Sequence, residues 1–185
     1  MNQPLLVSLS PRPGGNSDQA AECFARSLRG PSRVERLRDY SIAPCVACDG
    51  CLGRGVCVRP DGADRLFDLM DQASGLVLTA PVYFYHLPAQ AKAWIDRGQA
   101  RYLARQSGLS KSGPIRPAYL VLVAGRPQGD LLFEGMLLSL RYFLEVFDYC
   151  IAGQVLLRGV DQAGSFDRMP HALQAVGDLA GESGW

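Results

Sequence analysis

Short, continuous apolar segments alternate along the chain with segments of helical periodicity, and this alternation restricts the fold more than any other feature. A strand buried on one face alternates apolar and polar residues, whereas a parallel strand covered on both faces is apolar throughout. The segments here are of the second kind, and helical segments separate them, as in βαβ units. The sequence therefore predicts an α/β fold with a doubly wound, five-stranded parallel sheet, and its strands are expected at 5–9, 34–37, 75–79, 119–123 and 151–157.

The expected helices begin at recognisable residues. Residues 16–18, Asn-Ser-Asp, are good cap and first-turn residues for a helix that reaches to about residue 28. Pro88 suits the start of another helix, because its missing N–H would have no helical partner there. Further helices are expected at 66–70, 133–147 and 169–179. In such folds ligands bind beyond the carboxyl ends of the strands, so the loops after the first, third and fourth strands are the places to search.

Size and charge limit the functions open to this chain. Its 185 residues and 20.1 kDa suit a single domain, predicted over 1–185. The net charge of +1 argues against a main role in binding nucleic acid or an anionic membrane. No apolar run approaches the roughly 18–20 residues of a membrane span, and residues 1–4 lack the basic start of a signal peptide. We therefore expect a cytoplasmic protein with no nucleic-acid or membrane partner.

Turn-forming residues fill the loop at 10–17, between the first expected strand and its helix. Backbone N–H groups of such a loop can surround a phosphate, and the positive end of the following helix attracts it. The loop fits neither the ATP-binding nor the dinucleotide-binding glycine pattern. It predicts a phosphate site, with a plain helix-capping turn as the alternative. The candidate phosphate ligands are Ser10, Arg12, Asn16 and Ser17.

Aromatic residues crowd the loop that follows the third expected strand. A flat aromatic ligand needs flat apolar walls and a few backbone donors. The residues that would supply both are Pro81, Val82, Tyr83 and Phe84. Ala124 and Gly125, which follow the fourth strand, are expected at the edge of the same ligand. The alternative is that 81–84 is a core segment leading into the next helix.

Four of the six cysteines lie within one loop, at 43–61, here called the cysteine loop. Clustered cysteines in a reducing compartment usually serve metal or redox chemistry. Their spacing, C-x2-C-x2-C-x5-C, matches the compact pattern that ligates a 4Fe-4S cluster, whereas zinc ribbons use two widely separated C-x2-C pairs. The candidate metal ligands are therefore Cys45, Cys48, Cys51 and Cys57. A zinc ion, or no metal, remains the alternative occupant.

Two of these segments resemble a known family. Ser10-Pro11-Arg12 followed by Gly15-Asn16-Ser17 is similar to the G-S-P-R…G-N-[ST] loop of NADPH-dependent FMN reductases and iron–sulfur flavoproteins, although Leu9 stands where the family often has Gly. Residues 79–97 are similar to the family segment S-P-V-Y…K…F-I-D-R. The resemblance implies a flavodoxin-like three-layer sandwich, with the FMN phosphate on loop 10–17 and the flavin ring against 81–84.

The cysteine loop resembles that of the iron–sulfur flavoproteins in particular. In that group a cluster passes single electrons to the flavin of a neighbouring subunit, and the chains assemble as homodimers or homotetramers. The family motif usually continues to an Asp-Asp pair, of which Asp61 alone is present here. The resemblance therefore implies a 4Fe-4S cluster and a homo-oligomer.

Together these features predict an FMN-dependent oxidoreductase of the iron–sulfur flavoprotein type, in which a cluster relays electrons to FMN. Because the flavin does the bond-making, no side chain is expected as an obligatory acid or base. Electrons would pass between small-molecule or protein donors and acceptors, with NAD(P)H as a candidate donor. The alternatives are an NAD(P)H-dependent FMN or quinone reductase without a cluster, and a zinc-stabilised interaction protein without flavin.

Overall fold

A computed structural model describes residues 3–185 of the chain. Residues 1 and 2 lie outside the described residues, and with them the beginning of the predicted domain and of the segment considered as a signal peptide. None of the described helices is long and apolar enough to cross a membrane.

Five parallel strands form one sheet in the order β2-β1-β3-β4-β5. This order confirms the predicted doubly wound α/β fold, and it reverses direction between β1 and β3, where such folds bind ligands. The strands are β1 (Leu5–Ser8), β2 (Arg33–Arg36), β3 (Leu76–Pro81), β4 (Arg116–Val123) and β5 (Tyr149–Leu157). The helices are α1 (Asn16–Ser27), α2 (Gly62–Gln72), α3 (Ala89–Arg97), α4 (Gln99–Gln106), α5 (Glu134–Val146) and α6 (Pro170–Glu182).

Apolar side chains cover the sheet on both faces. Leu5 and Val7 of β1 point into a core formed with α2, α3 and α5, where Trp94 is fully buried. Leu6, between them, points into a second core formed with α1 and α6, beside Phe24. Because successive residues of a strand face opposite sides, both sets must be apolar when both faces are covered. This is the physical origin of the continuous apolar segments in the sequence.

Helix α4 and the starts of two strands depart from the expected elements. Strand β4 begins at Arg116, three residues before its expected start. Helix α4 has no counterpart among the expected helices, because half of its residues are Arg or Gln and it buries only Ala100 and Ala104. Strand β5 begins at Tyr149, two residues before its expected start. Its register against β4 is irregular after Ala118, which pairs with Ile151 while the next residue of β4 pairs with Gly153. The extra residue in β5 is a β-bulge.

Candidate functional site

Two adjoining cavities open at the carboxyl edge of the sheet, beside the reversal of strand order. The smaller, of about 220 Å³, lies against loop 10–17, and the larger, of about 560 Å³, lies against the loops after β3 and β4. Val82, Gly125 and Asp161 line both. The loops after β1, β3, β4 and β5 therefore build one continuous site, as expected for this topology.

A buried ion pair fixes the shape of loop 10–17 from below. Asp18, 2% exposed, accepts hydrogen bonds from the Ser8 hydroxyl at 2.5 Å and from the Gly14 N–H at 2.9 Å. Arg38 reaches the same carboxylate at 2.8 Å and also donates to the Ser10 carbonyl at 3.2 Å. Arg38 thus neutralises a buried carboxylate that would otherwise repel an anion in the smaller cavity. The local sequence gave no indication that Arg38 pairs with Asp18.

Free hydrogen-bond donors face the smaller cavity. The cap residue of α1 is Gly15, which has no side chain to satisfy the first N–H groups of the helix. The Ser17 hydroxyl is buried and has no hydrogen-bond partner within residues 3–185. Arg12 lines the cavity, and its exposed guanidinium forms no ion pair with any other described residue. A phosphate would satisfy all three kinds of donor, so the residues present fit an anionic group.

The side chain of Asn16 is already engaged within the protein. Its Nδ2 donates to the carbonyls of Val160 and Gln162, at 3.1 and 3.0 Å. Its Oδ1 accepts the Phe166 N–H at 3.2 Å. Asn16 therefore fastens α1 to the loop after β5, which carries Asp161 to the cavities. Asn16 was predicted as a phosphate ligand, and only its backbone N–H remains available for that contact.

A strained turn forms one wall of the larger cavity. Tyr83 and His86 exchange two backbone hydrogen bonds, at 2.8 and 2.9 Å, around Phe84 and Tyr85. Both central residues are left-handed, with φ of +49° and +61°. This turn geometry normally selects Asn or Gly, and a left-handed conformation costs other residues about 1–2 kcal/mol each. Such strain gathers at ligand-binding segments, and here it holds the Phe84 ring fully in solvent.

The predicted residues of the aromatic loop divide between the cavities. Pro81 and Tyr83 line the smaller cavity, and Phe84 lines the larger. Ala124 and Gly125, predicted at the ligand edge, both border the larger cavity.

The larger cavity is also lined by five residues that were not among the predicted site residues, namely Tyr85, Arg126, Pro127, Leu132 and Asp161. Asp161 follows β5, so the rule that selects loops after strands could have found it. A Cβ at Gly125 would lie 2.5 Å from Oδ1 of Asp161, so a side chain at position 125 would displace that carboxylate. Arg126 places its guanidinium 5.7 Å from the Tyr85 ring centre, which supports the strained turn.

The four predicted metal ligands lie on one loop with free thiols. Cys45 and Cys48 are exposed, and Cys51 and Cys57 are half-buried. Burial raises the pKa of the Cys51 thiol, and the charges of the other three cysteines raise it further. In the part of the chain that is described, however, no three Cys, His, Asp or Glu side chains are grouped tightly enough to hold a metal ion.

The backbone of the cysteine loop suits a compact metal centre. Ala47 and Asp49, on either side of Cys48, are left-handed, with φ of +50° and +56°. A Cβ at Gly50 would lie 2.6 Å from Val58, so glycine lets the loop fold tightly. The Arg59 N–H donates to the Cys57 sulfur at 3.4 Å. Thiolates are the ligands of iron–sulfur and zinc centres, so the donor set fits either metal.

The sheet topology, with paired cavities at its carboxyl edge, is that of a flavodoxin-like protein. A sequence model of the family described as NADPH-dependent FMN reductase matches residues 5–147. The chain belongs to this family. The family and the flavodoxin-like fold predicted from the motifs are thereby confirmed.

Characterised relatives share part of the chain. An iron-sulfur flavoprotein of Methanosarcina thermophila is 35% identical over 94 residues, which cover 49% of each chain. An iron-sulfur flavoprotein of Archaeoglobus fulgidus is 34% identical over 91 residues, covering 48% of this chain and 41% of that protein. The chain thus spans about half the length of these relatives, or less.

A solved structure shares the fold over nearly the whole chain. It is described as an FMN-dependent NADH-azoreductase from Bacillus anthracis str. Ames Ancestor in complex with FMN. The TM-score is 0.68 at 15% identity, and the match covers 98% of this chain and 99% of that one. At this identity the likeness establishes the fold alone.

Proposed function

We propose that this protein is an FMN-dependent electron-transfer oxidoreductase of the iron–sulfur flavoprotein type, folded as one domain over 1–185. FMN binds with its phosphate in the smaller cavity and its ring in the larger, and a 4Fe-4S cluster occupies the cysteine loop. The observation that carries the proposal is the pair of adjoining cavities, one with unsatisfied donors and the other with apolar and aromatic walls.

The phosphate half of this site needs little rearrangement to bind. Asp18 and Arg38 already hold loop 10–17 in place, so binding does not have to order it. Arg12 supplies the cation, and Ser17 supplies a buried hydroxyl. Ser10 acts from within the loop, since its hydroxyl donates to the Arg12 carbonyl at 3.0 Å and accepts the Arg12 N–H at 3.2 Å.

The ring half of the site combines an apolar wall with an acidic edge, which is formed by Asp161. Val82, Ala124 and Leu132 offer apolar surface to a flat ring. The turn at 83–86 supplies aromatic side chains at the cavity mouth, and Phe84 is free to cover a ring that enters. Bound FMN would supply electron and hydride chemistry, while the chain positions the ring and excludes water on one side.

The four thiols of the cysteine loop would hold the cluster, which supplies single-electron transfer. The spacing of the cysteines, their location on one loop and the names of the two relatives support this part of the proposal. Convergence of the thiols on one centre requires the exposed side chains of Cys45 and Cys48 to turn inward.

A reductase without a cluster is the second candidate function. It would transfer electrons from NAD(P)H through FMN to free flavin or a quinone, and the cysteine loop would carry zinc or no metal. The open arrangement of the thiols in the described residues favours it, as does the description of the matching family.

We also propose that the protein acts in the cytoplasm as a homodimer or homotetramer, exchanging electrons with small molecules or proteins. Exposed apolar side chains on α5, at Leu138 and Tyr142, together with Tyr102 on α4, offer surface for such assembly. Burying a patch of this kind is favourable in proportion to its apolar area.

The deciding experiment is an absorption spectrum of anaerobically purified protein, with flavin, iron, sulfide and zinc assayed on the same sample. Flavin bands with about four irons and four sulfides per chain are expected for a 4Fe-4S flavoprotein. A preparation of a variant with Cys48→Ser and Cys51→Ser is the control, and it should retain flavin and lose iron. Flavin without iron in the unmodified protein would leave the cluster-free reductase, and zinc without flavin would contradict the whole proposal.

A further inference from the structure

Arg97 joins the two ends of the cysteine loop. It is the last residue of α3 and is 4% exposed. Its guanidinium donates from Nη1 to the carbonyl of Ala43, at 3.1 Å, and from Nη2 to the carbonyl of Arg59, at 2.7 Å. Ala43 precedes the first cysteine of the loop and Arg59 follows the last. One side chain therefore bridges the chain on both sides of all four thiols.

Asp61 completes this bridge. It forms an ion pair with Arg97, and its carboxylate also accepts the Ala43 N–H at 2.9 Å. The same carboxylate caps α2 by accepting the Ala63 N–H at 2.9 Å, while Asp64 accepts the Asp61 N–H at 3.2 Å. Because α2 and α3 both pack in the core beside β3, the bridge fastens the ends of the cysteine loop to the body of the protein.

Between these ends, the loop has few constraints of its own. It contains no helix or strand from 43 to 61. Its backbone hydrogen bonds within that span are short turns, such as Leu52 N–H to Asp49 and Arg54 N–H to Cys51. It also includes two left-handed residues that favour other conformations. The separation of its ends therefore depends on the contacts that join them. Besides the Arg97 bridge, these are the bond from the Ala43 N–H to Asp61 and the bond from the Gly62 N–H to the Ser41 carbonyl, each of 2.9 Å.

We propose that Arg97 is a positioning residue, which closes the cysteine loop so that its four thiols can converge on one metal centre. This inference rests on the proposed metal-binding function of the loop. Arginine is required because its planar group donates in several fixed directions at once, here to two carbonyls and a carboxylate, which a lysine ammonium on a flexible stem does not reproduce. Arg97 acts through the loop backbone and does not itself bind the metal.

The test measures metal binding by the thiols directly. Reduced, metal-free protein is titrated anaerobically with Co²⁺, and thiolate-to-Co²⁺ charge-transfer absorption is recorded, because its intensity reports how many thiolates bind. The variants are Arg97→Met, which removes the bridge, and Arg97→Lys, which keeps the charge alone. Arg101→Met is the matched control, since Arg101 lies on the next helix and pairs with Asp71 of α2 at 2.8 Å. Within residues 3–185 its ion pairs are with α2 and not with the cysteine loop.

We expect both Arg97 variants to bind Co²⁺ about 10- to 100-fold more weakly, as when other residues that orient metal ligands are removed. Their charge-transfer intensity at saturation should also fall, because fewer thiolates reach the metal. Arg101→Met should bind Co²⁺ like the unmodified protein. FMN affinity, measured in parallel, should change less than about twofold in every variant, since Arg97 lines neither flavin cavity.

Other results would overturn the inference. If Arg97→Met or Arg97→Lys binds Co²⁺ with the affinity and the charge-transfer intensity of the unmodified protein, the Arg97 guanidinium does not position the thiols. If Arg97→Met does not fold, Asp61→Asn decides, because asparagine still caps α2 but loses the ion pair. It should also bind Co²⁺ more weakly, and normal binding would reject the bridge.

The unmodified protein separates this inference from the proposed flavin function. If it binds FMN and no Co²⁺, the inference fails with the metal site while the flavin site stands. If it binds Co²⁺ and no FMN, the flavin proposal fails, and the comparison among the variants still tests Arg97.

Discussion

Replacing Asn16 with alanine should destabilise the protein through contacts far away in the sequence. The substitution removes three hydrogen bonds, of 3.0, 3.1 and 3.2 Å, to the loop at 160–166. The bond to the Gln162 carbonyl is exposed, so water replaces it, and the other two are partly buried. At about 1 kcal/mol for each of these two, Asn16→Ala should lower the free energy of unfolding by about 2 kcal/mol.

Urea unfolding of the flavin-free protein measures this loss without interference from cofactor binding. Arg12→Ala is the matched control. Its guanidinium is exposed and has no ion-pair partner among residues 3–185, so stability should change by less than about 0.5 kcal/mol. FMN affinity should instead fall about 10- to 150-fold, the worth of one charge-assisted hydrogen bond. Unchanged stability in Asn16→Ala would refute the assignment of Asn16 as a fastening residue.

Two further predictions concern the strained turn and the ends of the cysteine loop. Phe84→Gly should stabilise the flavin-free protein by roughly 0.5–1 kcal/mol, because glycine accepts a left-handed φ and no buried contact is lost. The same substitution should weaken FMN binding. A lower urea midpoint for the variant would contradict the strain argument. Burial alone would raise the pKa of Asp61, but hydrogen bonds from Ala43 and Ala63 and the charge of Arg97 outweigh it and lower the pKa. The ionised Asp61 carboxylate therefore stabilises the fold above its unfolded pKa of about 4, and this stabilisation is lost as the pH falls through its lower folded-state pKa. The urea midpoints of Asp61→Asn and of the unmodified protein should accordingly converge as the pH is lowered below 4.

The sheet and the general position of the site could be predicted because both depend on local patterns. Strands covered on two faces must be apolar, and a helix that follows a strand directly places its first turn at the carboxyl edge. The turn-forming residues of loop 10–17, and the helix that follows it, were therefore enough to place this loop at that edge of the sheet. The resemblance to the family then added the nature of the ligand, which spacing could not specify.

Contacts between distant residues account for what the sequence did not predict. The partners of Asn16 lie 144–150 positions along the chain, so its cap-like pattern could not show that its amide is engaged. Arg38 pairs with Asp18 across 20 positions, and neither residue type is unusual for a surface helix or turn. Helix α4 was not predicted, because its two buried residues are alanines, which add little to an apolar periodicity. The contacts of Asn16 and Arg38 therefore depend on which segments meet after the chain has folded.

The most direct test of the central claim is a comparison of FMN with riboflavin, which lacks the phosphate, in fluorescence titrations of the flavin-free protein. Several charge-assisted hydrogen bonds on loop 10–17 predict that FMN binds at least about 100-fold more tightly, and that Arg12→Ala narrows this ratio. Equal affinity for the two flavins would contradict the account, because loop 10–17 would then not be a phosphate site.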